Sequence, residues 1–206
     1  MEHPLPDEQP EFFMDCPNLM NSLKGHLLVA SPSLEAPFFS RTVILMCEHS
    51  AEGAMGLVLN RSTEATIRDV AEQVLNEPLD WEKPIHIGGP VTGPLVVLHG
   101  DSDLADQHVF GEVYSSIEAN KVQELLRQQP EPSMVVANYA GWGPGQLERE
   151  MVEESWLVLP ATAKLVFIDE EMGDDEMWSL VMQYIRSADL RRITGLKNLP
   201  LDPSFN

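Results

Sequence analysis

The chain has few cysteines, few basic residues and no long apolar run. Its 206 residues contain two cysteines, Cys16 and Cys47. Two thiols do not make a disulfide framework, and they fit a reducing cytosol, so a cytoplasmic location is expected. No apolar run approaches the roughly 18 residues of a spanning helix, so no membrane partner is expected. The opening "MEHPLPDEQPEFF" has no basic patch followed by an apolar stretch, which excludes a secretory signal at this position. Lys and Arg total 13 against 33 Asp and Glu, a formal net charge of −20. Phosphate backbones are bound by neutralising them with Lys and Arg, so direct nucleic-acid binding is not expected. The one basic cluster is Arg186, Arg191, Arg192 and Lys197, which reads as an ordinary helix surface.

What is present is a globular composition, 43% apolar and 22% charged. Residues 1–22 form an acidic, proline-rich arm that cannot build a core of its own, with Phe12, Phe13 and Met14 available to pin it. Residues 23–190 are expected to form one domain. Residues 191–206, with "GLKNLPLDPSFN", are expected to be an irregular tail.

Within the domain, "HLLVASP", "TVILMCEH" and "AMGLVLN" read as strands, the last two joined as a hairpin through Gly53. "PIHIGGPV" and "PLVVLHG" predict a second hairpin, with "GGPVTG" as its turn. "VFGEVYSS", "SMVVANYAG", "SWLVLP" and "AKLVFID" complete the strand set. Helices are predicted at "TIRDVAEQVLNEP", where Thr66 and Asp69 have capping-box spacing, and at "SIEANKVQELLRQQP", where Ser115 and Glu118 do. A third is expected at "PGQLEREMVEE". A fourth, "DDEMWSLVMQYIRS", places Met177, Trp178, Val181, Met182 and Ile185 on one face. Strands joined partly by hairpins and partly by helices indicate an α+β fold with a mixed sheet.

The chemistry-bearing residues are dispersed. His49, His86, His99 and His108 lie on separate elements, and no Cys/His pair recurs at zinc spacing, so neither a metal nor a cofactor is expected. Strand alternation places Cys47 and His49 on one face. No G-x-S-x-G elbow occurs, and Cys47 within an apolar run reads as an inert thiol, with a Cys47/His86 or Cys47/His99 pair as the open alternative. "GGPVTG" lacks the Lys-Ser/Thr of a phosphate loop. Glu48, His49, Asn60 and Arg61 mark the two ends of the first hairpin as polar. In "GWGPGQLERE", Gly143 is the expected N-cap and Pro144 the first helical residue. That leaves the Gly145 and Gln146 N–H groups as an anion site and Trp142 as an anchor or a ligand platform.

"GHLLVASPSLEAPFFSRTVILMCEHSAEGAMGLVLNRS", "IGGPV", "LVVLHG" and "YAGWGPGQLEREMVEESW" together resemble the YqgE/AlgH family of bacterial proteins. The shared motifs are Phe39 and Arg41, Glu48-His49, Gly53-Ala54-Met55-Gly56, Asn60, Gly88-Gly89-Pro90, Leu98-His99, and Trp142 through Glu150 followed by Trp156. The resemblance covers roughly residues 23–185. It implies a single α+β domain with a bifurcated, partly barrel-like sheet surrounded by helices. No enzyme activity is established for the family, although some members carry a name that implies transcriptional regulation. The chain departs from it in a longer acidic arm and in lacking a glycine-rich tail. The expected function is non-enzymatic binding or regulation through an unidentified protein or small molecule. A hydrolase or transferase using Glu48, His49, His99 or Glu148 as acid/base groups is the alternative. The candidate ligand-binding residues are Glu48, His49, Asn60, Gly88, Gly89, Trp142, Gln146 and Glu148.

Overall fold

The computed structural model describes residues 22–168 and 172–194, with side chains described through 187. Residues 1–21 of the arm, residues 195–206 of the tail and the side chains of Arg191 and Arg192 lie outside the described residues. The expected irregular tail from residue 191 is corrected at its start, because residues 191–194 continue the last helix. Arg186 is exposed.

The described chain runs β1 (His26–Ala30), β2 (Val43–Ser50), β3 (Gly53–Val58), β4 (Ser62–Thr66), α1 (Ile67–Leu75), β5 (Pro84–Ile87), β6 (Val91–His99), β7 (Gln107–Phe110) and β8 (Val113–Ser116). It continues through α2 (Ala119–Gln128), β9 (Ser133–Trp142), α3 (Gln146–Val152), β10 (Trp156–Pro160), α4 (Ala163–Val166) and α5 (Asp174–Thr194). The strands join in the order β10-β1-β2-β3-β9-β6-β8-β7, curled into a half-barrel. The fold is α+β in a single domain.

The sheet divides at β9. One edge of β9 pairs with β6. The other edge takes β5 in parallel along Val135–Ala137 and β3 antiparallel along Ala140–Trp142. This corrects the expected second hairpin. β5 leaves β6 and pairs with β4 and β9, because Gly88 and Gly89 carry the chain across β9 instead of turning it back. The Gly88 N–H donates to the Ala137 carbonyl (2.8 Å) and its own carbonyl accepts from Val58 N–H (2.9 Å). A Cβ on Gly89 would lie 2.0 Å from the Tyr139 carbonyl carbon, so only glycine allows this crossing.

β2 is apolar at every position from Val43 to Cys47 because both of its faces are covered. Val43, Leu45 and Cys47 enter a core closed by α4 and α5, whereas Ile44 and Met46 enter a second core with Trp142, Leu147 and Trp156. A third core lies under α1 and α2.

Helix ends test local chemistry against tertiary context. At α1 the Asp69 carboxylate accepts from the Thr66 N–H (2.8 Å) and hydroxyl (3.0 Å), as its spacing predicts. At α2 the expected Ser115–Glu118 box does not form, since Ser115 belongs to β8. Instead Asp106, from a distant loop, accepts the Ile117 and Glu118 N–H groups (both 2.7 Å). "AKLVFID" is not a strand. Ala163–Val166 form one helical turn, with Thr162 Oγ1 accepting from Leu165 N–H. α5 buries Met177, Val181, Met182 and Ile185 as the periodicity predicts, with Trp178 partly buried and its indole N–H on the Ala30 carbonyl (2.9 Å).

Candidate functional site

Four of the eight candidate residues meet at the mouth of the half-barrel. An open cleft of about 500 Å³ is lined by Lys24, Glu48, His49, Ser50, Glu52, Gln107, Met55 and Trp142, with Gly53 and Ala54. Glu148 reaches the same place through His49. The cleft forms where β7 approaches β2 without pairing to it, and Gln107 Nε2 spans the gap to the Cys47 carbonyl (3.3 Å) and Glu48 Oε1 (3.4 Å).

A β-bulge builds this edge. Met46 pairs with Gly56 and Glu48 with Met55, so Cys47 is the extra residue. The bulge reverses the alternation beyond it. Cys47 points into the α5-side core, whereas His49 turns to Leu23 and Glu148 on the other face. The expectation that Cys47 and His49 share a face is therefore corrected. Cys47 is fully buried, and burial pushes its thiol up to about 12. A thiol so held is not a nucleophile at neutral pH.

His49 is fixed at both ring nitrogens. Nδ1 accepts the Leu23 N–H (2.9 Å), so Nε2 bears the proton and donates it to Glu148 Oε1 (3.0 Å). Glu148 lies in the first turn of α3. Its own backbone N–H holds its carboxyl below the ordinary value, burial opposes this, and the His49 bond adds to the lowering. Glu52, on the exposed rim, is lowered first by the Ser50 hydroxyl, which donates at 2.7 Å.

The segment Trp142–Glu150 is a braced turn. Gly145, in the left-handed region at φ 66°, is the N-cap of α3, displacing the expected Gly143, and Pro144 belongs to the turn before it. The Gln146 N–H is taken by the Gly143 carbonyl (3.0 Å), so it is not the free donor expected for an anion. Gln146 Oε1 accepts from Gly143 N–H (3.1 Å) and Nε2 donates to Glu150 Oε1 (2.9 Å). Glu150 Oε2 accepts both indole N–H groups, Trp142 and Trp156, at 2.9 Å each. Phe39 packs against both indoles. Trp142 is 6% exposed, so it contributes little ring surface to the cleft.

The other candidates lie elsewhere. Asn60 is buried at the far end of the first hairpin. Its Oδ1 accepts from Val43 N–H, and Nδ2 donates to the carbonyls of Arg41 and Asp174, all at 2.8 Å. It lines, with His86 and Met177, a water-sized cavity of about 30 Å³. Gly88 and Gly89 serve the β5–β9 crossing. Among the alternative's residues, His99 is fully buried, with Nδ1 accepting from Asp101 N–H (3.2 Å) and Nε2 donating to Ser116 Oγ (2.9 Å). Among the described residues, no group of three His, Cys, Asp or Glu side chains could hold a metal, and no helix is long and apolar enough to cross a membrane. Sequence reasoning missed Lys24 and Gln107 in the cleft and Glu150 under the indoles. Gln107 is 59 positions from Glu48, and no local pattern links them.

Residues 27–188 match the AlgH-like family. A UPF0301 protein of Vibrio parahaemolyticus is 33% identical over 157 residues, covering 71% of this chain and 84% of that one. A UPF0301 protein of Rhizobium rhizogenes is 35% identical over 188 residues, covering 84% and 92%. The solution structure of AlgH from Pseudomonas aeruginosa superposes with a TM-score of 0.67 at 29% identity, covering 92% of this chain and all of that one. A crystal structure of a Corynebacterium diphtheriae protein gives 0.63 at 25% identity, covering 86% and 88%. The motifs that carried the resemblance thus belong to a shared fold over most of the chain, and the chain is a member of the AlgH-like, or YqgE/AlgH, family.

Proposed function

We propose that the protein is a non-catalytic binding or regulatory protein of the cytoplasm, whose ligand enters the cleft between β7 and the β2–β3 hairpin. The observation that carries this reading is His49. A general base needs a bare nitrogen facing substrate, and a general acid needs a proton free to leave. The bare Nδ1 is bound to Leu23 and the Nε2 proton to Glu148. The imidazole holds the cleft wall together in place of moving protons. Glu48, Glu52 and Gln107 present carboxylate and amide oxygens, and Lys24 an ammonium, above the Met55 and Ala54 surface. A few polar groups over an apolar floor orient a ligand by hydrogen bonds. The ligand is a small molecule or a protein segment. The net charge of −20 argues against DNA.

A thermal-shift screen of metabolites and nucleotides on the full chain, with capture of partners from lysate, tests the reading. The expected result is a ligand that raises Tm in the wild type but not in Glu48→Gln/Gln107→Ala. A ligand consumed by the protein, with turnover abolished in Glu148→Ala, would establish the hydrolase or transferase alternative instead.

A further inference from the structure

The two outer strands of the curled sheet are built differently. β7 carries a bulge and closes toward the end of β2 and the turn before β1, where its Phe110 crowds Gly25. β10 pairs with β1 in unbroken register from His26↔Pro160 to Ala30↔Trp156. The flanking bonds, Ser31 N–H to Ser155 and Ala161 N–H to Gly25, set the phase of that ladder. Residues 155, 157, 159 and 161 therefore bond to β1, and Trp156, Val158 and Pro160 turn their backbone groups away from it. None of these outward groups has a hydrogen-bond partner among the described residues.

Edge strands that stay monomeric are protected by charges, proline, bulges, short length or covering elements, and in the five-residue β10 the proline stands only at the last position. The sequence Trp156-Leu-Val-Leu-Pro160 holds no charge and no bulge. Leu157 and Val158 are half-buried, while Val152, at the end of the α3 helix that packs on β10, is 75% exposed.

We propose that this edge pairs antiparallel with the β10 edge of a second copy, about a twofold axis at Val158. The register is self-complementary. Val158 N–H of each copy meets the Val158 carbonyl of the other, and Trp156 N–H meets the Pro160 carbonyl. Pro160 lacks an N–H, but its carbonyl is the group this register uses. The charges flanking the strand also match. Glu153 and Glu154 precede it, Lys164 follows it and all three are exposed, so the antiparallel arrangement brings acid toward base at both ends. The contact is smaller than a permanent interface, and two chains of −20 repel each other. The dimer is therefore weak, and added salt strengthens it.

Sedimentation velocity on the full chain, from about 1 μM to about 500 μM at low and high salt, reads the assembly. The expected result is a shift from one chain to two as concentration rises, at lower concentration in high salt. Val158→Pro removes the outward N–H and no bond to β1, and it should hold the chain monomeric. Hydrogen exchange on the wild type gives a measure independent of any variant. Amide protection at Trp156 and Val158 should rise at least tenfold with concentration, while Leu157 and Leu159 stay constant. A wild type that is monomeric throughout overturns the proposal. So does a dimer unaffected by Val158→Pro, or protection of Trp156 and Val158 that is already full at the lowest concentration.

Discussion

Glu150 is held by uncharged donors alone: two indoles and one amide. Both indoles are buried, so truncating Glu150 leaves two N–H groups without water or partner. Glu150→Ala should cost about 2–6 kcal/mol, at ~1–3 for each of the two buried donors left unpaired. Urea unfolding followed by tryptophan fluorescence would show a lower midpoint with little change in m. His99 gives a pH-dependent counterpart. Burial pushes its imidazole below the ordinary 6.5, while Asp101 and Asp106 oppose the shift and Lys121 assists it. The unfolded chain therefore binds a proton at His99 at higher pH than the folded chain does. The contribution of neutral His99 is complete above 6.5 and is lost as pH falls from there toward the depressed folded value. Urea midpoints measured between roughly pH 7 and 5.5 should decline, and His99→Gln should remove that part of the decline.

At the scale of elements, the glycines separate those that permit a crossing from those that only permit a turn. Gly89 lies against the Tyr139 backbone, and a Cβ there has no room. Gly89→Ala should cost about 3 kcal/mol or more, because neither strand can move without breaking the β5–β9 register. Gly111, at φ 47° in the β7–β8 turn, has nothing within 4 Å of a built Cβ. Gly111→Ala should cost only about 1 kcal/mol, for the backbone conformation alone. Thermal unfolding of the two variants side by side checks the difference. α1 and α2 make the same contrast for caps. Asp69 caps α1 from three residues away and was legible in the sequence. Asp106 caps α2 from 11 and 12 positions away, and only the fold brings it there.

At the scale of the whole molecule, the charge of −20 is spread over a surface with few cations. The ion pairs Arg41–Asp175 and Arg127–Glu77 are largely exposed and contribute little. Repulsion among the carboxylates is the larger effect. Raising ionic strength shortens the screening length to about 8 Å near 0.15 M and should raise Tm. A Tm that fell with salt in differential scanning calorimetry would show that the local pairs dominate.

The sequence alone determined the α+β class, the inert buried thiol of Cys47 in its apolar run, the α1 cap, the apolar face of α5, the acidity and the family. These properties depend on residue type and on spacing within one element, so periodicity and composition reveal them. The tertiary structure alone decided which candidates share a site. The bulge at Cys47 turns His49 to the face opposite the one that strict alternation assigns. The parallel pairing of β5 removes Gly88 and Gly89 from the cleft, and Asn60 is spent on three distant backbone groups. Gln107 enters the cleft only because β7 closes toward β2. A bulge depends on the register of the partner strand, and a hydrogen bond across tens of residues depends on the packing of the whole sheet. Neither leaves a pattern in the residues beside it.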